Sequence, residues 1–214
     1  MIVKKPSSTQ ASRRTHSVNS FNTAADCIGK IEKGMSLFAI TRGQFSMIDA
    51  ILHTISDISE PCDVSVWTWA IADYEVESLV RLMIDKRIKS ARMLIDFSAK
   101  KRNAEIIQKW VEIFGPYSVG YVVNHAKIAT VTTQSKKVLL RGSMNLNFNP
   151  RYEQLDITEG GADYTLIKEI EAEIIAETSA ETPTWRSAAK LSGLENSFGS
   201  ENLSIFEAKT TWAK

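Results

Sequence analysis

The sequence predicts an α/β sandwich, a mixed and mostly parallel central sheet flanked by helices. Three observations predict it. From about residue 36 to residue 116, segments of period-two alternation trade places with segments of helical period. Three such strand–helix units in series call for parallel strands joined by crossover helices. After Pro116 the pattern changes to short strands in quick succession, which ends the serial alternation.

Residues 1–33 are polar, rich in Ser, Thr and Asn, and read as a loosely held arm, exposed at His16. Lys4-Lys5 and Arg13-Arg14 on it could brush a polyanion. The folded domain is expected over residues 34–180. Ser36–Thr41 is a short strand pattern. Gln44–Ile58 carries Phe45, Ile48, Ile51, Leu52 and Ile55 at helical spacing, with His53 as a packing or surface residue. Pro61 breaks the chain, and Val64–Ala70 alternates as a strand. Trp67 and Trp69 share parity on it and read as core or dimer interface rather than a base-stacking platform. Asp73 can cap a helix containing Val76, Leu79, Val80, Met83 and Ile84. Ala91–Phe97 is the third strand. Asn103 opens a helix through Ile106, Ile107, Trp110, Val111 and Phe114, stopped by Gly115-Pro116.

Further strands are expected near 118–123, 125–132, 137–141 and 153–158, with Gln134-Ser135-Lys136 as a hairpin connection. Tyr164–Thr178 reads as a helix with Leu166, Ile167, Ile170, Ile174 and Ile175 on one side. Glu169, Glu171, Glu173 and Glu177 are taken as its solvated face. Residues 181–214 form a tail whose Trp185, Phe198, Phe206 and Trp212 would anchor it to the domain or to a protein partner.

Composition narrows the function classes. The 214 residues are 43% hydrophobic and 24% charged, enough for one domain with a real core. The net charge of +1 means that nucleic acid would be held by a local patch, not by a global field. Cys27 and Cys62 lack metal-ligand or Cys-x-x-Cys spacing and read as buried thiols of a reducing compartment. No apolar run is long enough to span a bilayer, and none follows the basic N-terminus as a secretory signal. The expected location is cytoplasmic, without integral membrane association.

The chemistry concentrates in one stretch. His125-Ala-Lys127 puts an imidazole and an ammonium two residues apart in a strand-like run, so both project from one face. A second strand, Lys137–Arg141, then delivers Gly142-Ser143-Met144-Asn145, and Glu153 follows. A nucleophile, a cation and a small polar turn suit chemistry on a phosphate diester. None of the three histidines has metal-ligand spacing to another, and no cofactor or metal is expected.

These residues resemble the signature of the phospholipase D superfamily: His-x-Lys-x4-Asp, then Gly-Ser-x-Asn and a downstream acid. The close resemblance covers about 30 residues. It implies that His125 attacks phosphorus and forms a phosphohistidine. A second histidine would act as general acid; since this chain carries one motif, the resemblance implies a homodimer with a shared site. Lys127 and Asn145 would neutralise the non-bridging oxygens, and Ser143 would add a hydroxyl donor. Glu153 would fix the imidazole tautomer. The sequence departs from the pattern at Thr132, where the family has Asp; Thr132 or Thr133 would stand in as a hydrogen-bonding group.

Small single-motif members of that family imply a nuclease, here acting on DNA with little sequence specificity. Lys86-Arg87, Lys89, Arg92 and Lys100-Lys101-Arg102 are candidate phosphate contacts, and Lys136, Arg141 and Arg151 are expected to bind substrate. A non-catalytic nucleic-acid-binding or scaffolding protein is the alternative, and a phospholipid phosphodiesterase the third reading.

Overall fold

A computed structural model describes residues 13–148 and 150–178. The expected extension over 181–214 lies outside the described residues, as do residues 1–12 of the arm. The strands are β1 (Arg14–His16), β2 (Ser36–Arg42), β3 (Cys62–Thr68), β4 (Ile88–Asp96), β5 (Val119–Val122), β6 (Lys127–Thr132), β7 (Lys137–Gly142) and β8 (Tyr152–Glu159). The helices are α1 (Ala24–Ile28), α2 (Met47–Ile58), α3 (Asp73–Ile84), α4 (Ala99–Arg102), α5 (Ala104–Phe114) and α6 (Ala162–Thr178). A 3₁₀ turn, Pro116–Ser118, precedes β5.

The described strands form one mixed sheet in the order β1-β2-β8-β7-β6-β3-β4-β5. Three neighbouring pairs are parallel (β1/β2, β3/β4, β4/β5) and four are antiparallel. By direction, six strands run one way, and only β6 and β8 oppose them. The connections explain this. Helices α2, α3 and α5 carry the chain back between β2, β3, β4 and β5 and so keep those strands co-directional. The β6–β7 link is a tight turn in which Thr133 Oγ1 accepts from the Ser135 and Lys136 amides at 3.2 and 3.0 Å, so its strands must reverse.

Alternation along the strands divides the apolar residues between two faces. Leu37 and Ala39, Val64 and Val66, Met93 and Ile95, Ala129 and Val131, Val138 and Leu140, and Leu155 and Ile157 join one core with α1, α2, α3 and α5. Leu94 and Val122 face the other way, onto Ile174 of α6. Strand β4 is buried on both faces at Met93, Leu94 and Ile95, as expected for a strand with parallel neighbours.

Five expectations change. The arm is not loose from residue 13 onward: β1 pairs with β2, and Phe21, Ala24, Cys27, Ile28 and Ile31 enter the main core. Its apolar residues are few but fall at core spacing. His16 is accordingly half-buried, with its ring 6.4 Å from that of Phe21. Glu171 is not on a solvated face; it is 1% exposed and accepts from Ser65 Oγ, Lys168 Nζ and, at 3.2 Å, Trp67 Nε1. Leu166 is exposed instead. Asp73 is the first residue of α3 rather than its cap, and pairs with Lys109 at 2.7 Å. His53 does pack, with Nε2 2.7 Å from the Gly29 carbonyl oxygen.

Cys27 and Cys62 are buried and free, and burial pushes each thiol up to about 11. Thiolate is the reactive form. At pH 8 both thiols should therefore resist alkylation in the native protein and react together once the fold is opened by urea. A thiol count taken by mass spectrometry before and after denaturant checks this.

Candidate active site

The directions of the strands create one chemically rich rim. On it β2, β3, β4, β5 and β7 end, and the opposed strands β6 and β8 begin. Ligands of open α/β sheets bind at such carboxyl ends. His125, Lys127, Ser143, Asn145 and Glu153 all belong to residues on this rim or beside it.

His125 does not share a continuous strand with Lys127. Strand β5 stops at Val122, and the chain crosses the ends of β4 and β3 before β6 begins at Lys127. The carboxamide of Asn124, 8% exposed, holds this crossing. Its Nδ2 donates to the carbonyls of Thr68 (3.3 Å), Leu94 (3.5 Å) and Ala126 (3.4 Å), and its Oδ1 accepts from the Ala126 amide at 2.8 Å. The Asn124 amide donates to Asp96 Oδ2 at 3.0 Å, at the end of β4. The next residue, His125, is exposed.

Lys127 lies beneath it, 6% exposed. Its Nζ is 3.0 Å from His125 Nδ1 and donates to the His125 carbonyl at 2.6 Å. Loss of water around the ammonium lowers the Lys127 pKa, while the carboxylates of Glu153 and Asp96 push it back up. The imidazole and ammonium expected side by side are therefore in contact.

Gly142 ends β7 because nothing larger fits. A Cβ there would collide with the Gln154 carbonyl oxygen of β8. Ser143 then makes a double tie to β8: its amide donates to the Gln154 carbonyl at 3.2 Å, and its Oγ accepts from the Gln154 amide at 2.9 Å. Ser143 Oγ also donates to Glu153. The expected Glu153–imidazole bond is thus replaced in this single chain by a Glu153–serine bond. Asn145 is half-buried, and its Oδ1 has no hydrogen-bond partner among the described residues. The segment beyond it is pinned to β3, since the Leu146 amide donates to Thr68 Oγ1 at 3.1 Å and the Ala72 amide to the Leu146 carbonyl at 3.1 Å.

The three residues expected to bind substrate separate. Arg151 lies in the loop just before β8, on the rim and exposed. Arg141 is occupied elsewhere: Nη1 donates to Asp163 Oδ2 at 2.5 Å and Nη2 to Asp156 Oδ1 at 3.3 Å. Arg13 also pairs with Asp156, so this is an ion-pair network tying β7 and β8 to α6. Lys136 sits in the β6–β7 turn, at the end of the sheet opposite the rim. Thr132 is likewise far away: five strand residues from Lys127 span about 16 Å. Its Oγ1 lies 2.5 Å from Tyr164 OH, a link to α6. A carboxylate at position 132 would not touch the imidazole, so the departure there leaves the rim unaltered.

The basic clusters divide in the same way. Arg87 donates to the Ile55 carbonyl at 2.7 Å, and Lys89 pairs with Asp63 at 3.3 Å, both at the far end. A cavity of about 300 Å³ between Asp63, Ser65, Arg92, Tyr117 and Lys168 lies there too. Only Lys100–Arg102 reach the rim. Sequence reasoning missed Asn124 and Asp96 as positioning residues and read Trp69 as core or dimer interface. Trp69 is 36% exposed, with its ring 6.1 Å from that of His125 and the Arg102 guanidinium 4.2 Å from its centre. Among the described residues, no three His, Cys, Asp or Glu side chains are grouped so as to hold a metal ion. No helix among them is long and apolar enough to cross a membrane.

No protein-family model matches the chain, and no curated protein sequence matches it. Among solved structures, NucT from Helicobacter pylori is similar, with a TM-score of 0.49 and 15% identity over 66% of this chain and 96% of that one. A likeness of that degree assigns neither an activity nor a role to any residue.

Replacing Gly142 with Ala should lower stability by about 1–3 kcal/mol, since the added methyl forces β7 from β8. Urea unfolding of Gly142→Ala measures it. An unchanged midpoint would show that the rim tolerates the shift.

Proposed function

We propose that this chain is a metal-independent phosphodiesterase, a nuclease that hydrolyses DNA through a phosphohistidine in a homodimeric site. One observation carries the reading: a buried lysine ammonium 3.0 Å from an exposed imidazole, on the rim that also holds Ser143, Asn145 and Glu153. A cation that has lost its water is strongly drawn to an anionic phosphate, and an exposed imidazole beside it is within reach of the phosphorus.

In the proposed reaction His125 Nε2 forms a bond to phosphorus as the ester bond to the leaving oxygen breaks. The partner copy's histidine gives that oxygen a proton. Water then attacks the phosphohistidine, loses a proton to the same partner histidine, and releases phosphate monoester and free imidazole. Lys127 and Asn145 of both copies bear the charge on the non-bridging oxygens.

The attack sets a requirement on the tautomer. When Lys127 donates to Nδ1, a neutral imidazole keeps its proton on Nε2, the form that donates rather than attacks. For attack, the proton must sit on Nδ1 and find an acceptor. Glu153 is the carboxylate of the rim that could take this place, by turning from Ser143 to the imidazole. The same observation favours a second reading, a non-catalytic nucleic-acid-binding protein in which the Ser143–Glu153 bond is permanent.

Wild-type protein should cleave plasmid or single-stranded DNA in excess EDTA, and His125→Ala should abolish cleavage. Salt-sensitive binding without turnover in the wild type would select the second reading. Cleavage that needs magnesium and survives His125→Ala would defeat the first.

Lys127 also sets an alkaline limit. Its proton loss removes the phosphate-neutralising cation, and burial brings that loss below the ordinary lysine range. Plots of kcat/KM against pH should therefore fall on the alkaline side before the usual lysine value. In Lys127→Arg, whatever activity remains should lack that limb, because a guanidinium stays charged.

A further inference from the structure

The rim carries more aromatic surface than the proposed chemistry uses. Trp69 stands immediately after β3, 36% exposed, beside the His125 ring. Arg102 covers part of its indole at 4.2 Å, and its Nη2 donates to the Trp69 carbonyl at 2.9 Å. Asn103 Nδ2 donates to the Ile71 carbonyl at 3.0 Å, which fixes the α4–α5 junction against the segment after Trp69. The backbone from Trp69 to Ile71 is therefore held by Arg102 and Asn103, and the indole lies against the Arg102 guanidinium and beside the His125 ring. A second pair of the same type stands on the rim: Tyr152, 65% exposed at the start of β8, lies under the Arg42 guanidinium at 5.5 Å. Strands β8 and β3 are three sheet spacings apart, about 14 Å, and β6, which begins at Lys127, lies between them.

We infer that Trp69 and Tyr152, each with its arginine, are stacking stations for unpaired bases on either side of the phosphate at His125. The rim is thereby a site for single-stranded polynucleotide. The inference rests on the reading of His125 and Lys127 as a phosphodiester site. Its physical basis is separate: aromatic faces accept any base by stacking, and arginines beside them contact the flanking phosphates. In a duplex the base faces are already stacked on one another and cannot reach the indole. Trp69 is the stronger station, because its ring contacts the imidazole directly and the base would sit next to the reacting phosphate.

The test measures binding in EDTA with His125→Gln protein, which lacks the nucleophile but keeps a side chain beside the indole. The probes are a fluorescent single-stranded oligonucleotide, the same sequence as duplex, and the same length of abasic strand. The single strand should bind more tightly than the duplex. Adding Trp69→Ala should weaken single-strand binding about ten-fold or more. Trp69→Phe should restore most of it, and on the abasic strand the two tryptophan variants should bind alike. Equal binding with and without Trp69→Ala overturns the inference. So does a loss that persists on the abasic strand, a preference for duplex, or no single-strand binding at all. A wild type that does not cleave, yet binds single strands through Trp69, rejects the hydrolytic reading and keeps the stacking stations. Cleavage with Trp69-independent binding does the reverse.

Discussion

The chain leaves β5 at one edge of the sheet and re-enters at β6, past the ends of β4 and β3. The placement of His125 and Lys127 on the rim depends on how that crossing is held. Asn124 holds it, with hydrogen bonds to the Thr68 carbonyl at the end of β3, to the Leu94 carbonyl of β4 and to the turn leading into β6. A carboxamide can donate and accept at once, which is what a backbone passing across strand ends requires. Asp96 secures the same crossing through the Asn124 amide and contributes a charge that favours the lysine ammonium. The exposed position of His125 and the buried position of Lys127 both follow from this arrangement.

Electrostatics then gives the rim its character. A buried ammonium is costly unless opposite charges or hydrogen bonds compensate it. Lys127 has the His125 carbonyl, the imidazole nitrogen and the fields of Glu153 and Asp96, and burial still outweighs them and lowers its pKa. An arriving phosphate supplies the missing negative charge. The other face of the sheet follows the opposite plan. Arg141 and Arg13 are matched by Asp156, and Arg141 also by Asp163, so these cations are used to join β7, β8 and α6. The buried Glu171 is similarly consumed by Ser65, Trp67 and Lys168.

Much of the fold was legible because it is local. The period of 3.6 in α2, α3 and α5 and the period of two in β2, β3 and β4 are written residue by residue. Boundaries shifted by a few residues, as at β4, which begins at Ile88 rather than Ala91. The packed segment after residue 13 was missed because its polar composition was given more weight than the helical spacing of its few apolar residues, Phe21, Ala24, Cys27, Ile28 and Ile31. Glu171 was misread for another reason: helical position alone does not reveal a buried indole and hydroxyl on the facing strand.

By itself the sequence determined which residue types are available for chemistry and in what local spacing: His125 two residues before Lys127, and Gly142-Ser143 at the end of a strand. It also determined that Gly142 is a glycine, though not why. Tertiary structure alone decided which charges meet. Lys136 and Arg141 are as close in sequence to the motif as Ser143, yet one lies at the opposite end of the sheet and the other is neutralised by Asp156 and Asp163. Trp69, Arg102, Asn124 and Asp96 come from three separate connections, and only the order of the strands gathers them around His125. Side-chain periodicity is a property of neighbours along the chain. A rim of strand ends is a property of neighbours in space, set by which crossover precedes which strand.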